Sequence, residues 1–202
     1  MSTRPELWEF PDADSWDAWL QTNHGTAPEA WLRIRRKGAE VPLLAVREAL
    51  DVALCHGWID GVRRSLDGVS FRQRFSPRRP RSSWSQVNVA RVEELEAEGR
   101  MRPGGLAEVA AARADGRWAA AYPRQADSEP PPDLMTALAA DPEAAAAFAA
   151  LGRTARFAVV LPLLKATSPQ RRELLVHRAV ERLHQVHLHG ENPLGERPGE
   201  VG

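Results

Sequence analysis

The chain has 202 residues, 43% of them hydrophobic, with 27 basic and 27 acidic side chains, which suits one or two folded domains of zero formal net charge. Its single cysteine, Cys55, excludes an internal disulfide and an all-cysteine metal site, and the sequence shows no cofactor-binding or metal-ligand motif. No apolar run is long enough to span a membrane and the N-terminus lacks the apolar core of a secretory signal, so we predict a soluble cytoplasmic protein.

The first 124 residues predict an α+β domain, in which a small antiparallel sheet with a β-hairpin packs against helices, after a weakly structured arm over residues 1–13. Residues 30–37 alternate apolar and basic side chains, which is typical of a strand with one wet face. Residues 45–56 repeat apolar side chains at helical spacing and predict a helix. Two further runs with strand character flank Asp67-Gly68, a dipeptide typical of a type I′ hairpin turn.

The expected hairpin register assigns each side chain to a face of the sheet. Pairing outward from the turn sets Asp60 opposite Phe75 and Arg64 opposite Phe71. Because side chains alternate across a sheet, Trp58, Asp60 and Arg64 then share the inward face. The other face would carry Arg63, Arg72 and Arg74. A lone buried carboxylate is costly, so we expect an ion pair between Asp60 and Arg64.

The hairpin and the loop after it concentrate positive charge. Between Gly61 and Arg81 there are seven arginines and one acid, a local net charge of +6 in a neutral chain. The loop reads SPRRPRSSWS, and its prolines hold the arginines in an extended, stiff segment. Ser83 and Gln86 predict a capping box that opens a helix running to Glu98. A helix N-terminus beside arginines is suited to bind phosphate, sulfate or carboxylate.

The rest of the chain predicts a linker, a helical module and a tail. Residues 125–132 contain three consecutive prolines and mark a domain boundary. Beyond them only helical patterns occur, so we expect a helical module over residues 133–189. Residues 190–202 are rich in Gly, Pro and Glu and predict a disordered tail.

The run ALCHGWIDG at residues 53–61, the element SPRRPRSSWSQVN at residues 76–88, and the later GRM and DGRW resemble the signature of the YdeI/OmpD-associated family. Residues 132–185 resemble the small helical module that closes proteins of this family. Its members are described as bacteriocin-protection or stress-resistance proteins. The resemblance implies a cytoplasmic bacterial protein of α+β fold with a helical C-terminal part.

These observations favour a binding module for an anionic ligand, which is either a small molecule or the anionic surface of a macromolecule. The predicted ligand-binding residues lie in the hairpin, the loop and the following helix: Trp58, Arg64, Arg72, Arg74, Arg78, Arg79, Arg81, Ser83, Trp84 and Asn88. Either tryptophan would stack on a ring or pack beneath a guanidinium. The pattern gives no indication of the oligomeric state.

Two alternatives remain open at the level of sequence. The first is an enzyme of unknown reaction, in which Asp60 acts as general acid or base beside Arg64 and the arginine loop anchors the substrate. The second is a weak nucleic-acid binder that uses the loop and Trp84. Overall neutrality and the lack of a recognised nucleic-acid-binding motif disfavour the second alternative.

Overall fold

The computed structural model describes residues 6–166 and 168–189, and it divides the chain into two compact units, one ending at Ala121 and the other beginning at Tyr122. The strands are β1 (Leu7–Trp8), β2 (Ala30–Arg35), β3 (Trp58–Ser65) and β4 (Ser70–Pro77). The helices are α1 (Ala13–Asn23), α2 (Val46–Cys55), α3 (Gln86–Ala97), α4 (Pro103–Ala114), α5 (Pro132–Ala139), α6 (Pro142–Ala150), α7 (Arg153–Leu164) and α8 (Pro169–His189). A 3-10 turn lies at Gln125–Asp127. The expected α+β class is confirmed.

The sheet of the first unit has the order β1-β2-β4-β3. Strand β4 pairs antiparallel with β2 and with β3, which gives the expected hairpin. The arm expected over residues 1–13 is not featureless, because β1 pairs parallel to β2 with Leu7 opposite Trp31. The sheet is therefore mixed, with the hairpin strand β3 at one edge.

Helices α1 and α2 pack on one face of this sheet. The apolar positions of α2, which recur at helical spacing, are buried together with Trp16 and Leu20 of α1 against Leu32, Phe71 and Phe75. Trp16 also donates its ring N–H to the backbone oxygen of Ala49, which fixes α1 to α2. We call this helix-covered side the inner face and the opposite side the outer face.

Helices α3 and α4 build a second cluster of the first unit around Trp84, Val92 and Leu95. A bidentate pair joins α3 to α2: Arg91 donates to both oxygens of Asp51, at 2.7 and 2.8 Å. Asp51 is 6% exposed, so the pair removes a carboxylate from water while satisfying both of its oxygens.

The second unit is helical and has a core of its own, as the sequence pattern beyond residue 132 predicts. Leu134, Leu138, Phe148, Leu163 and Leu183 are among the buried residues of that core, contributed by α5 to α8. In the described ranges no helix is both long enough and apolar enough to cross a lipid bilayer. The tail expected over residues 190–202 lies outside the described residues.

Candidate functional site

A β-bulge in β3 decides which arginines lie on which face of the hairpin. Asp60 stands opposite Phe75, as predicted, but the register shifts between Asp60 and Arg63. Beyond the shift Arg64 stands opposite Arg72. The predicted pairing of Arg64 with Phe71 is therefore wrong, because one additional residue in β3 turns every later side chain to the other face. Gly61, a glycine inside a strand, was the local signal for this bulge.

The hairpin turn also differs from the predicted type I′ turn. That turn requires positive φ at its two central residues, and neither Asp67 nor Gly68 has it. The Asp67 carboxylate instead accepts hydrogen bonds from the backbone N–H groups of Val69 and Ser70 and from the Ser70 hydroxyl. These hydrogen bonds, with the Ser70 hydroxyl as the largest contribution, lower the pKa of Asp67 to about 2. An aspartate-closed loop thus replaces the glycine-dependent turn.

The outer face of the sheet carries a row of three arginines across three strands. Arg33 of β2 stands opposite Arg72 of β4, and Arg72 stands opposite Arg64 of β3. Arg33 is paired with Glu9 at 3.0 Å and with Asp67 at 2.6 Å. Within residues 6–166 and 168–189, neither Arg64 nor Arg72 forms an ion pair.

Arg72 is held in place by an aromatic ring rather than by a carboxylate. Its guanidinium carbon lies 5.7 Å from the centroid of the Trp31 ring. The Arg72 Nε atom is buried and meets no hydrogen-bond acceptor among the described residues. A neighbouring arginine, Arg74, is instead paired with a carboxylate, because its Nε donates a hydrogen bond to Glu29 at 2.6 Å. This hydrogen bond lowers the pKa of Glu29 below its usual value.

Asp60 lies on the inner face, away from Arg64, so the predicted ion pair between the two is absent from the described residues. Burial raises the pKa of Asp60, and the charges of Arg63 and Arg78 oppose that rise. The ion pair cannot form because the bulge places Arg64 on the outer face. Asp60 therefore lacks the partner that the enzyme hypothesis assigned to it.

The arginine loop is split between buried and exposed side chains. Arg78 is 7% exposed, and its guanidinium carbon lies 3.6 Å from the Trp84 ring centroid. Arg79 is exposed, as is Arg81, which adopts a positive φ of 64°. The loop thus presents two arginines to solvent and uses a third to cover a tryptophan.

The helix after the loop begins two residues later than predicted. The N-cap of α3 is Ser85, not Ser83, and the Ser85 hydroxyl accepts a hydrogen bond from the Asn88 N–H at 3.2 Å. Ser83 and Asn88 are half-buried. Three serines in a short run offer equivalent local caps, and the structure uses the last of them, next to the buried Trp84.

Both tryptophan rings are buried, and Trp84 packs beneath the guanidinium of Arg78, which is one of the two roles expected for it. Trp58 is 1% exposed and Trp84 is 2% exposed. Trp58 donates its ring N–H to the backbone oxygen of His24, inside the first core. Trp31, on the outer face, is the ring beside the unpaired arginines, and the sequence alone did not single it out.

A polar cluster that the sequence did not predict lies beneath α1. The Nε2 atom of His56 lies 2.7 Å from one Asp17 oxygen, and Arg102 donates to the other at 2.8 Å. His56 is 4% exposed. The three residues are far apart in the chain, so no local pattern could reveal the cluster. In the described part of the chain no group of three or more His, Cys, Asp or Glu side chains is placed to hold a metal ion.

Two sequence models match different parts of the chain. The sequence model of a domain of unknown function (DUF8412) matches residues 8–108, half of the chain. The model of the family described as bacteriocin-protection, YdeI or OmpD-associated matches residues 127–185. The predicted relation to the YdeI/OmpD-associated proteins is confirmed for residues 127–185, whereas the motifs at residues 53–88 that also suggested it lie within the DUF8412 match. No curated protein and no solved structure matches the chain.

Proposed function

We propose that this chain, which belongs to the DUF8412 family and whose residues 127–185 match the bacteriocin-protection, YdeI or OmpD-associated model, is a binding protein for an extended anionic partner. The contacts are made by the outer face of its first sheet. In this proposal the protein acts in the cytoplasm in a stress or bacteriocin-protection response, as the family description suggests.

One observation carries the proposal: the unpaired arginine neighbours on β3 and β4. Like charges directly opposite on neighbouring strands destabilise a sheet. A structure that places Arg64 opposite Arg72, with no carboxylate of the described residues bound to either, retains an unfavourable contact that an anion would relieve. The buried Nε of Arg72 is a donor without an acceptor among the described residues, a feature that is rare among buried polar groups.

The shape of this face favours an extended partner rather than a single small ion. Neighbouring strands lie about 4.8 Å apart, so a row across three strands spans roughly 10 Å. Arg33 closes one end of the row and retains partial exposure beside its acidic partners. Trp31 offers an aromatic surface next to the row. A chain of phosphate or sulfate groups can meet successive guanidinium groups along such a row.

The test compares two double variants of equal charge. Arg64→Gln with Arg72→Gln removes the unpaired arginines of the face, and Arg79→Gln with Arg81→Gln removes the exposed arginines of the loop. Binding of inorganic polyphosphate is measured by calorimetry at several salt concentrations. We expect the face variant to weaken binding at least tenfold and to reduce the slope of log affinity against log salt by about two. The loop variant should bind within about twofold of the wild type, an allowance for long-range screening of exposed charges.

Two results would overturn the proposal. One is a wild-type protein that does not bind polyphosphate, and the other is a loop variant that loses as much affinity as the face variant. Single- and double-stranded oligonucleotides are titrated in parallel at physiological salt. Equal or tighter binding of an oligonucleotide would transfer the role to nucleic-acid binding.

A further inference from the structure

We propose that an open depression beside the hairpin turn binds a phosphate monoester of a small organic molecule. The depression has a volume of about 500 Å³ and is lined by Arg36, Lys37, Arg63, Ser65 and Phe71. It lies apart from the outer-face row, because Arg63 and Arg64 are adjacent in β3 and point to opposite faces of the sheet. The inference is thus independent of the polyanion-binding function proposed above.

Arg63 is fixed over the floor of the depression by neutral groups. Its Nε donates to the side-chain oxygen of Gln73 at 3.0 Å. Its guanidinium carbon lies 4.3 Å from the centroid of the Phe71 ring. Gln73 is itself anchored, since its amide nitrogen donates to the backbone oxygen of Gly61 at 2.8 Å. The guanidinium is therefore oriented before any ligand arrives, and it forms no ion pair with a carboxylate of the described residues.

Arg36 is held in the same manner on the adjoining wall. Its Nε donates to the backbone oxygen of Asp67 at 3.2 Å, and a terminal nitrogen donates to the Ser65 hydroxyl at 2.8 Å. The Asp67 carboxylate does not neutralise Arg36, because its two oxygens bind the Val69–Ser70 turn and Arg33. Lys37 follows directly and is exposed.

The lining is therefore three cations, one hydroxyl and one ring, with no carboxylate among them. Each guanidinium keeps N–H groups beyond those that anchor it, since it has five donors. Two guanidinium groups and one ammonium suit a dianionic tetrahedral oxyanion, which accepts several charge-assisted hydrogen bonds. Fixed arginines lose less conformational entropy on binding than mobile ones do.

The size of the depression points to more than a bare phosphate. Sites for small organic ligands measure roughly 300–1,000 Å³. The Phe71 ring supplies an apolar surface beside the cations, against which an organic group can pack. We therefore assign the phosphoryl group to Arg36, Lys37 and Arg63, and the organic group to the space next to Phe71.

The full-length protein is titrated with phenyl phosphate and, separately, with inorganic phosphate and phenol, by calorimetry and by backbone amide shifts. We expect phenyl phosphate to bind, with shifts centred on Ser65 and Phe71, more tightly than inorganic phosphate and far more tightly than phenol. Arg36→Gln with Arg63→Gln should lower the affinity for phenyl phosphate at least tenfold. Lys37→Gln, which changes an exposed side chain, should lower it about threefold by removing one unit of charge.

The outer-face variant, Arg64→Gln with Arg72→Gln, is the matched control and should bind phenyl phosphate within about twofold of the wild type, as expected for charges on the other side of the sheet. Equal losses in both double variants would show an unspecific charge effect and overturn the inference. So would a wild-type protein that does not bind phenyl phosphate, or a Lys37→Gln variant with wild-type affinity. Failure of polyphosphate binding at the outer face would leave this result unaffected.

Discussion

A buried histidine, His56, shows how single residues secure this fold. His56 ends α2, and its ring nitrogen reaches Asp17 on α1, 39 positions earlier. Burial lowers the pKa of His56, and the Asp17 carboxylate only partly offsets that effect. Burial alone would raise the pKa of Asp17, but hydrogen bonds from His56, Gln21 and Arg102 outweigh it and lower that pKa. The neutral imidazole therefore donates to a carboxylate that stays ionised.

This pair predicts a pH dependence of stability. A histidine whose pKa is lower in the folded than in the unfolded chain stabilises the fold fully above its ordinary pKa of 6.5, and the contribution is lost as the pH falls below that value. We expect the wild-type free energy of unfolding, followed by tryptophan fluorescence in urea, to fall between pH 7.5 and pH 5.5. His56→Gln, which keeps a donor for Asp17, should be less stable at pH 7.5 and show a smaller fall.

The control for this measurement is His177→Gln, which changes an exposed histidine in the second unit. It should retain the wild-type fall in stability between the two pH values. A His56→Gln variant with an unchanged pH dependence would show that His56 does not titrate on unfolding.

At the scale of elements, the end of α2 and the start of α4 approach closely. The backbone N–H of Arg102 donates to the backbone oxygen of Cys55 at 3.0 Å, so α4 begins against the last turn of α2. A Cβ atom on Gly105 would lie 2.2 Å from that same oxygen. Only glycine permits this approach, and it buries the Cys55 thiol, whose pKa burial raises to about 11.

Gly105→Ala is expected to separate α2 from α4. The free energy of unfolding should fall by roughly 1–3 kcal/mol, the usual cost of overpacking, or by more if the backbone cannot shift. Cys55 is buried and protonated in the wild type, so the variant should also react faster with a thiol reagent at neutral pH. Gly25→Ala, where an added Cβ meets nothing within 4 Å, serves as control. Equal labelling rates in the two variants would contradict the predicted separation.

At the scale of the whole molecule, the two units hold separate cores. All seven tryptophans precede residue 122, so tryptophan fluorescence reports on the first unit alone. Helices α5 to α8 contribute to far-UV circular dichroism but contain no tryptophan. Far-UV circular dichroism reports on both units, so a change in it without a change in fluorescence belongs to the second unit.

Leu163→Ala tests the independence of the two cores. Leu163 is 1% exposed in the second core, and the truncation should cost about 2–5 kcal/mol of that unit's stability. We expect the circular dichroism transition in urea to move to lower denaturant while the fluorescence transition stays in place. A matching shift of both transitions would show that the two units unfold as one.

The strands and α2 were predictable because each carries its apolar pattern locally, as in Ala30–Arg35 and Val46–Cys55. The face on which Arg64 lies was not predictable, because a one-residue bulge moves every later side chain of the strand to the other face without a change in composition. The Ser85 cap could not be told from its neighbours, because Ser82 and Ser83 are equally able to cap a helix. The contact between His56 and Asp17 was not predictable either, because the two residues are 39 positions apart in the chain. The sequence therefore predicted the hairpin and its positive charge, but not which of its arginines lie on the same face.

The bulge in β3 has one more consequence, for solubility. Strand β3 is an eight-residue edge strand whose outward backbone could template the sheet of another molecule. The shift between Asp60 and Arg63 interrupts the regular spacing that such templating needs, and the adjacent Arg63 and Arg64 place a guanidinium on each side of the strand. An incoming strand would have to bury Arg63 or Arg64 without a counter-ion. The same irregularity that decides which arginine lies on which face thereby protects the hairpin from edge-to-edge aggregation.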